Sequence, residues 1–278
     1  MDFVDDTMVT FRNLGYVAKG CDRQQLDLYL PDDRNPARPL VVWLHGGAWW
    51  AGSKEECPAQ VLVAHGYAVA SVGYRLSHQA HLPAQLEDCK AAIRWLRAHA
   101  ADYGIDPQRI GVWGESAGGH LAALLGTTGE RREYDVGEHL DQSSEVQCVV
   151  DFFGPANFLL WGGPEYPPME SPDSGIYRLL GGPVSQHRES ARLASPVYSV
   201  DRRSAPFLIL HGAKDEVVPL HQSQELHAAL TNAGVESTLW IEEAAGHGGP
   251  CFTAPVNFQR IADFLGRHLG CSVPGAIA

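Results

Sequence analysis

Apolar and polar positions divide the chain into short strand-like runs and longer helix-like segments. The run Leu40–Leu44 is continuously apolar, which is typical of a strand buried on both faces of a sheet. Six further segments have the composition of strands: Gln25–Leu30, Tyr67–Val72, Arg109–Trp113, Val146–Phe153, Phe207–Leu210 and Thr238–Ile241. We therefore expect these segments to form the central sheet.

The segments between these strands predict helices. After Pro83, apolar residues recur at helical spacing, at Leu86, Cys89, Ile93, Leu96 and Ala100. Ser53 and Glu56 have the spacing of a capping box, which predicts a helix from there towards His65. Three more helices are predicted at Ala117–Gly126, Leu220–Ala233 and Val256–Leu269. Strands that alternate with helices predict a single α/β domain over residues 1–278, with a mostly parallel central sheet and helices on both faces.

One stretch, residues 155–196, differs from the rest in composition. It holds seven of the 18 prolines, two Gly-Gly pairs and the aromatic side chains of Trp161, Tyr166 and Tyr177. Long irregular insertions in a compact domain are usually lids or binding loops, and a disordered surface excursion is the alternative. We predict a lid-like insertion over the functional site.

Composition and charge exclude several classes of protein. With 21 basic and 33 acidic residues the net charge is −12, which disfavours a nucleic-acid or anionic-membrane partner. No apolar run has the roughly 18 residues of a membrane span, and the start lacks the pattern of a signal peptide. We expect a protein that is either cytoplasmic or exported with its leader absent from this sequence.

The six cysteines are dispersed singly along the chain, without a C-x-x-C motif. We interpret them as buried or incidental thiols, with one or two disulfides as the alternative in an exported form. The histidines show no H-E-x-x-H or other metal-ligand spacing, and we therefore predict no metal and no cofactor.

Residues 114–118 form the pentapeptide G-E-S-A-G, directly after an apolar strand and before a helix of small residues. A serine on a sharp strand-to-helix turn needs small neighbours two positions away on either side. The start of the following helix then lends partial positive charge to a developing oxyanion. This context predicts that Ser116 is a nucleophile.

A nucleophilic serine needs a base, and the base needs an acid that orients it. Asp215 follows the strand Phe207–Leu210, and His247 follows the strand that ends near Glu242. Both therefore lie at strand ends, where ligands bind in open α/β sheets. We predict the triad Ser116, Asp215 and His247.

Other candidates for the acid and base are weaker. Glu216 neighbours Asp215 but points elsewhere on the turn, and Asp151 within its strand is an alternative structural or rescuing carboxylate. His120 and His211 are expected to support the site by packing or by hydrogen bonds to its residues.

The segment H-G-G-A-W at residues 45–49 follows the strand Leu40–Leu44. An oxyanion needs two or three unobstructed backbone N–H donors, and a glycine pair exposes such donors. We predict an oxyanion hole formed by the N–H groups of Gly47, Ala48 and Ala117. Gly46 is expected to serve the turn, and His45 to hold the loop by hydrogen bonding.

Together these motifs resemble the α/β-hydrolase superfamily, and within it the esterases with an H-G-G-G-type loop and a G-[DE]-S-A-G-G turn. The resemblance extends from about Leu26 to Leu269 and includes L-D-L-Y-L-P and A-S-P-V (Ala194–Val197). Hormone-sensitive-lipase-like esterases carry a cap before the loop, whereas His45 leaves room for only two strands. The chain therefore more closely resembles the compact, capless group that includes bifunctional acetylxylan/feruloyl esterases, although Ala48 replaces the third glycine.

The resemblance implies a serine carboxylesterase that hydrolyses short-chain acyl or feruloyl esters, with carbohydrate esters as the natural class. Kynurenine formamidases share the H-G-G-x-W loop, so an arylformamidase or small amidohydrolase is the alternative. A binding module on the same fold is expected to lose a triad residue or the loop glycines, and this chain keeps them.

Three tryptophans, Trp49, Trp50 and Trp161, flank the predicted site. Aromatic surfaces suit sugar rings and aromatic acyl groups, but they suit core packing equally well. We predict substrate contacts for Trp49 and Trp161, and a small-molecule or oligosaccharide ester as the partner.

Overall fold

The computed structural model describes residues 8–33, 37–163 and 169–270 of the chain. These residues contain one sheet of eight strands: β1 (Met8–Gly15), β2 (Gln25–Pro31), β3 (Arg38–Leu44), β4 (Ala68–Val72), β5 (Ile105–Glu115), β6 (Cys148–Phe152), β7 (Phe207–Gly212) and β8 (Ser237–Glu242). Their order in the sheet is β1-β2-β4-β3-β5-β6-β7-β8. The pairs β1/β2 and β2/β4 are antiparallel, and every other neighbouring pair is parallel. The prediction of a mostly parallel sheet is confirmed.

All seven predicted strands are present, but β1 was missed. Six of its eight residues are exposed, so this edge strand has no buried face to impose an alternating pattern. Three strands therefore precede His45, and the prediction of two was wrong.

The sheet separates two hydrophobic cores, because side chains on each strand alternate between its faces. In β3, Leu40, Val42 and Leu44 pack into one core, while Val41 and Trp43 pack into the other. Every residue of β3 is buried, as its continuous apolar run predicted.

Helices cover both faces of the sheet. The described helices are α1 (Ala84–Ala98), α2 (Ala117–Thr127), α3 (Gly175–Leu180), α4 (Arg188–Leu193), α5 (His221–Asn232) and α6 (Pro255–Leu269). Buried residues of α1 to α5 join the first core, and those of α6 join the second, together with a 3-10 helix at Pro58–His65. The apolar series from Leu86 to Leu96 is the buried stripe of α1, and Ala100 lies in the 3-10 turn that follows.

The capping box predicted at Ser53 is wrong. The Ser53 hydroxyl hydrogen-bonds to the Glu55 carboxylate and not to Glu56, and the helix begins only at Pro58. Proline suits the first position of a helix because its missing N–H would have had no intrahelical partner there.

The segment 155–196 is described except for residues 164–168, which include Tyr166. It contains the short helices α3 and α4, and it buries Phe158, Leu179 and Ala191 in the same core as α1 and α2. Tertiary packing therefore anchors much of this segment to the body of the domain.

Within the described ranges, no helix is both long and apolar enough to span a bilayer. The five described cysteines are unpaired thiols, and Cys271 lies outside the described residues.

Candidate active site

Ser116 lies between the end of β5 and the start of α2, in a strained backbone conformation. Its φ is 51° and its ψ is −117°, values that are unusual for a residue with a Cβ atom. Its N–H donates to the carbonyl of Phe152 at 2.8 Å, and its own carbonyl accepts from His120 N–H at 2.9 Å. Hydrogen bonds to strand β6 and to helix α2 thus hold the serine in this turn.

The glycines around Ser116 are required by close packing of the backbone. A Cβ at Gly114 would overlap the Gly118 carbonyl oxygen, and one at Gly118 would overlap the carbonyl oxygens of Leu44 and His45. The sharp turn therefore packs directly against the end of β3, as the spacing of small residues predicted.

The loops after β7 and β8 bring Asp215 and His247 to the serine. His247 Nε2 lies 2.9 Å from Ser116 Oγ, and His247 Nδ1 lies 2.7 Å from Asp215 Oδ2. The predicted triad residues are 32 to 131 positions apart in the chain, yet they form one continuous hydrogen-bonded relay.

Asp215 is buried, and its surroundings favour the carboxylate form. Burial by itself raises the pKa of Asp215, but the hydrogen bonds from His211 and His247 and from the Val218 N–H outweigh it. The pKa of Asp215 is consequently held well below its usual value. The N–H groups of Val217 and Val218 each donate to Oδ1 at 2.8 Å.

The alternative carboxylates lie elsewhere. Glu216 follows Asp215 in the chain and is exposed to solvent. Asp151 is completely buried, and burial raises its pKa to about 6. Its Oδ1 accepts a hydrogen bond from Gly154 N–H at 3.0 Å, and its Oδ2 has no partner among the described residues.

The loop after β3 has three successive residues with positive φ: Gly47 at 108°, Ala48 at 51° and Trp49 at 56°. The Gly47 carbonyl accepts from the N–H groups of Trp50 and Ala51, both at 2.9 Å, so it points back into the turn. Ala48 and Ser116 line the same cavity, which puts this loop next to the serine.

His45 braces this loop and is not part of the relay. Its Nδ1–H donates to the Gly46 carbonyl at 2.7 Å, and its Nε2 accepts from Arg23 at 3.1 Å. The ring stacks on Tyr74 at 4.3 Å, and the Tyr74 hydroxyl donates to the His45 carbonyl at 2.7 Å. Burial lowers the pKa of His45 to about 4, so the ring is neutral at pH 7, which this bonding pattern requires.

The cavity at Ser116 has a volume of about 200 Å³. Its walls come from the loop after β3, from the segment 155–196 and from the loop that carries Asp215; the lining residues besides Ser116 are Ala48, Trp49, Pro155, Trp161, Asp173, Ser174, Gly175, Ile176, Val217 and Val218. Most of these side chains are apolar, while Asp173 and Ser174 give one wall a polar character.

The predicted tryptophans differ in their surroundings. Trp49 lines the cavity but is only 3% exposed, and its Nε1 donates to His120 Nδ1 at 3.2 Å. Trp161 lines the cavity and is partly buried. Trp50 is 44% exposed, with the Arg178 guanidinium 4.3 Å from its ring centroid, and it is not among the residues that line the cavity.

His120 and His211 support the site from the core, as predicted. The Nε2–H of His120 donates to the Ala194 carbonyl at 2.7 Å, and burial lowers the pKa of this histidine to about 4. His211 lies 3.3 Å from Asp215 Oδ2 and hydrogen-bonds to Ser223.

Sequence reasoning missed several residues at this site. Val217 and Val218 could have been found from their place directly after Asp215. Arg23 and Tyr74 contact His45 only through the tertiary fold, and nothing in the sequence pointed to them. Among the described residues, no group of three or more His, Cys, Asp or Glu side chains is placed to hold a metal ion.

Comparisons with known proteins find esterases similar to this chain in sequence and in fold. The esterase LipC of Mycobacterium tuberculosis is 32% identical over 232 residues, which are 81% of this chain and 57% of that protein. A truncated carbohydrate esterase from gut microbiota has a TM-score of 0.87 at 32% identity, covering 96% of this chain and 99% of that one. Thermogutta terrifontis esterase 2 with bound butyrate has a TM-score of 0.72 at 27% identity, covering 91% and 92%.

The chain spans 57 to 59% of the length of three mycobacterial relatives, LipC among them. A model of the BD-FAE family matches residues 26–230, which are most of the chain and contain strands β3 to β7 and nearly all of β2. Because this family model matches most of the chain, and because the chain shares the fold of its esterase relatives, the chain belongs to the BD-FAE family of the α/β-hydrolase esterases.

Proposed function

We propose that this chain is a serine carboxylesterase that hydrolyses short-chain acyl or feruloyl esters of carbohydrates through an acyl-enzyme. The observation that carries the proposal is the relay from Ser116 Oγ through His247 to Asp215, with distances of 2.9 and 2.7 Å. A nucleophile and a base at hydrogen-bonding distance, with the base oriented by a third group, are the requirements for nucleophilic acyl transfer.

In the proposed reaction, Ser116 Oγ attacks the ester carbonyl while His247 Nε2 takes its proton. Asp215 holds the Nδ1–H tautomer and stabilises the imidazolium that forms. The imidazolium then gives its proton to the leaving alcohol, and the acyl group remains on the serine. Water, deprotonated by His247, attacks this acyl-enzyme, and the carboxylic acid leaves as the proton returns to Ser116.

We propose that the backbone N–H groups of Gly47, Ala48 and Ala117 stabilise the oxyanion. Two observations support this assignment: Ala117 is the first residue of α2, where N–H groups have no intrahelical acceptor, and the Gly47 carbonyl is turned into its own loop. The partial positive charge at the start of α2 adds to the stabilisation.

Two observations support a short-chain ester of a carbohydrate as the substrate: the size of the cavity and the descriptions of similar structures. Ligand sites for drug-sized molecules start at roughly 300 Å³, and the cavity at Ser116 is smaller, at about 200 Å³. This volume favours a short acyl group over a long chain. One similar structure carries the description carbohydrate esterase and another has butyrate bound, which supports a short acyl group on a sugar. Trp49 and Trp161 would provide the apolar surfaces for this substrate.

The test is steady-state hydrolysis of a substrate panel by the wild-type protein and by Ser116→Ala. The panel contains p-nitrophenyl acetate, butyrate and octanoate, methyl ferulate, acetylated xylan and N-formylkynurenine. We expect kcat/KM to fall with acyl length, activity on ferulate or xylan, and a loss of about 10⁴-fold or more in Ser116→Ala.

The control is Ser185→Ala, which changes an exposed serine whose hydroxyl donates a hydrogen bond to the Glu170 carboxylate. Strong preference for N-formylkynurenine would move the protein to the amidohydrolases, the alternative that the H-G-G-x-W loop suggests. Full activity of Ser116→Ala on every ester would refute the mechanism.

A further inference from the structure

Phe153, the first residue after β6, is held in a backbone conformation that is unfavourable for a large side chain. Its φ is 42°, in the left-handed region that glycine adopts most easily. Its N–H donates to the Leu210 carbonyl at 2.8 Å, and the next N–H, of Gly154, donates to Asp151 Oδ1 at 3.0 Å. The buried Asp151 carboxyl group thus fixes the turn in which Phe153 lies.

This turn directs the Phe153 ring against the imidazole of His247. The ring centroids are 4.7 Å apart and the planes are inclined by 61°. Phe153 is only 3% exposed, and its ring is supported from behind by Phe252 at 4.8 Å. A Cβ built on Gly248 would lie 3.8 Å from Phe153 Cζ, so the ring also contacts the loop just after His247.

The loop that carries His247 provides little restraint of its own. Glycines occupy positions 246, 248 and 249, and the last two have φ of 85° and 110°. Glycine leaves the backbone free to adopt many conformations, so the direction of the imidazole must be set by its contacts. The imidazole has to keep Ser116 at Nε2 and Asp215 at Nδ1 at the same time, which only one orientation of the ring allows.

We propose that Phe153 is a positioning residue, held by the Asp151–Gly154 hydrogen bond, which keeps the His247 imidazole aligned with Ser116 and Asp215. The inference rests on the proposed esterase function, since it concerns the same relay. Phe153 acts through His247, and because Phe153 is not among the residues that line the cavity, its removal should change kcat and leave KM nearly unchanged.

The test compares Phe153→Leu, which keeps an apolar side chain, with Phe153→Tyr, which keeps the aromatic ring. With p-nitrophenyl acetate we expect kcat of Phe153→Leu to fall about tenfold with KM within about twofold, because misplacing a catalytic group by 1 Å can cost on the order of 10²-fold. Phe153→Tyr should recover most of the loss. The control is Phe264→Leu, which makes the same change at a buried phenylalanine of α6 in the same core, where the ring packs on His268; this variant should stay within about twofold of wild type.

A second pair of variants tests the hydrogen bond that holds the turn. Asp151→Asn keeps an oxygen acceptor for Gly154 N–H, whereas Asp151→Ala removes it. We expect Asp151→Ala to lower kcat as Phe153→Leu does, and Asp151→Asn to lower it less. Thermal melting of each variant establishes that it is folded, and Phe153→Met replaces Phe153→Leu if the latter is not.

The outcomes separate this inference from the proposed function. If Ser116→Ala is inactive but Phe153→Leu retains the wild-type kcat, the positioning role is refuted and the esterase mechanism stands. Equal losses in Phe153→Leu and Phe264→Leu, or no recovery in Phe153→Tyr, would also refute it. Full activity of Ser116→Ala would refute the mechanism itself.

Discussion

At the scale of single residues, backbone strain is concentrated around the cavity. Seven described non-glycine residues have positive φ; four of them, Ala48, Trp49, Ser116 and Phe153, line the cavity or contact His247. Each such residue costs on the order of 1–3 kcal/mol and persists only where the surroundings fix it. At Ser116 and Phe153 these surroundings include the strand carbonyls of Phe152 and Leu210, each of which accepts a hydrogen bond at 2.8 Å.

Gly118→Ala tests this close approach. Its Cβ would overlap the carbonyl oxygens of Leu44 and His45, which belong to the backbone and cannot move aside. We expect the free energy of unfolding to fall by about 1–3 kcal/mol, as measured by urea denaturation, and esterase activity to fall with it. The matched control is Gly15→Ala, because a Cβ at Gly15 meets nothing within 4 Å and should change stability by at most about 0.5 kcal/mol. Equal stabilities of the two variants would contradict the packing argument.

At the scale of elements, the segment 155–196 makes one wall of the cavity. Its helix α3 begins against the loop after β3, where a Cβ on Gly175 would lie 2.9 Å from the Ala48 Cβ. Trp161 contributes to the same wall, and its Nε1 has no hydrogen-bond partner among the described residues. We therefore propose that this segment is a lid-like insertion that shapes the substrate site while being anchored in the core.

Trp161→Ala and Trp161→Phe separate the ring from its N–H group. Loss of the whole ring opens the cavity wall, so we expect kcat/KM for p-nitrophenyl butyrate to fall about tenfold in Trp161→Ala. Trp161→Phe keeps an aromatic surface and should stay within about threefold, because the N–H group that it removes has no hydrogen-bond partner among the described residues. The two variants are compared by steady-state kinetics after thermal melting has shown that both are folded. An unchanged kcat/KM in Trp161→Ala would remove this residue from the substrate site.

At the scale of the whole molecule, three buried ionisable side chains make stability depend on pH. Burial lowers the pKa of His45 and of His120 to about 4, and it raises the pKa of Asp151 to about 6. Between about pH 6 and pH 4 the unfolded chain binds two protons on the histidines that the folded protein does not bind. Over the same interval the folded protein binds one proton, on Asp151, that the unfolded chain does not.

The difference of one proton gives the sign of the effect. We expect the free energy of unfolding to fall as pH falls, by about 1.4 kcal/mol per pH unit over this window, because the unfolded state binds more protons. Urea denaturation at several pH values measures this slope. His120→Gln removes one of the two histidines and should make the slope shallower by about 1.4 kcal/mol per pH unit, because one proton fewer is taken up on unfolding. A variant with the slope of the wild type would contradict the assignment of a neutral buried His120.

Two kinds of feature could be predicted from the sequence: elements that have a buried face and motifs that have a fixed local geometry. The strand β3 could be predicted because burial on both faces makes its sequence continuously apolar. The helix α1 could be predicted because its buried face gives apolar residues at helical spacing. The glycines around Ser116, and the strand ends before Asp215 and His247, were readable because a sharp turn and a parallel sheet restrict which residues can stand there.

Features that depend on contacts between distant residues could not be predicted and became visible only in the folded molecule. The strand β1 has no buried face and left no pattern, and the 3-10 helix at Pro58–His65 begins later than the capping spacing suggested. The support of His45 by Arg23 and Tyr74, and the contact of Phe153 with His247, join residues that are far apart in the chain. The strained φ of Phe153 is set by the hydrogen bonds of its neighbours and not by its own preference, so its place at the relay could not be predicted from the sequence.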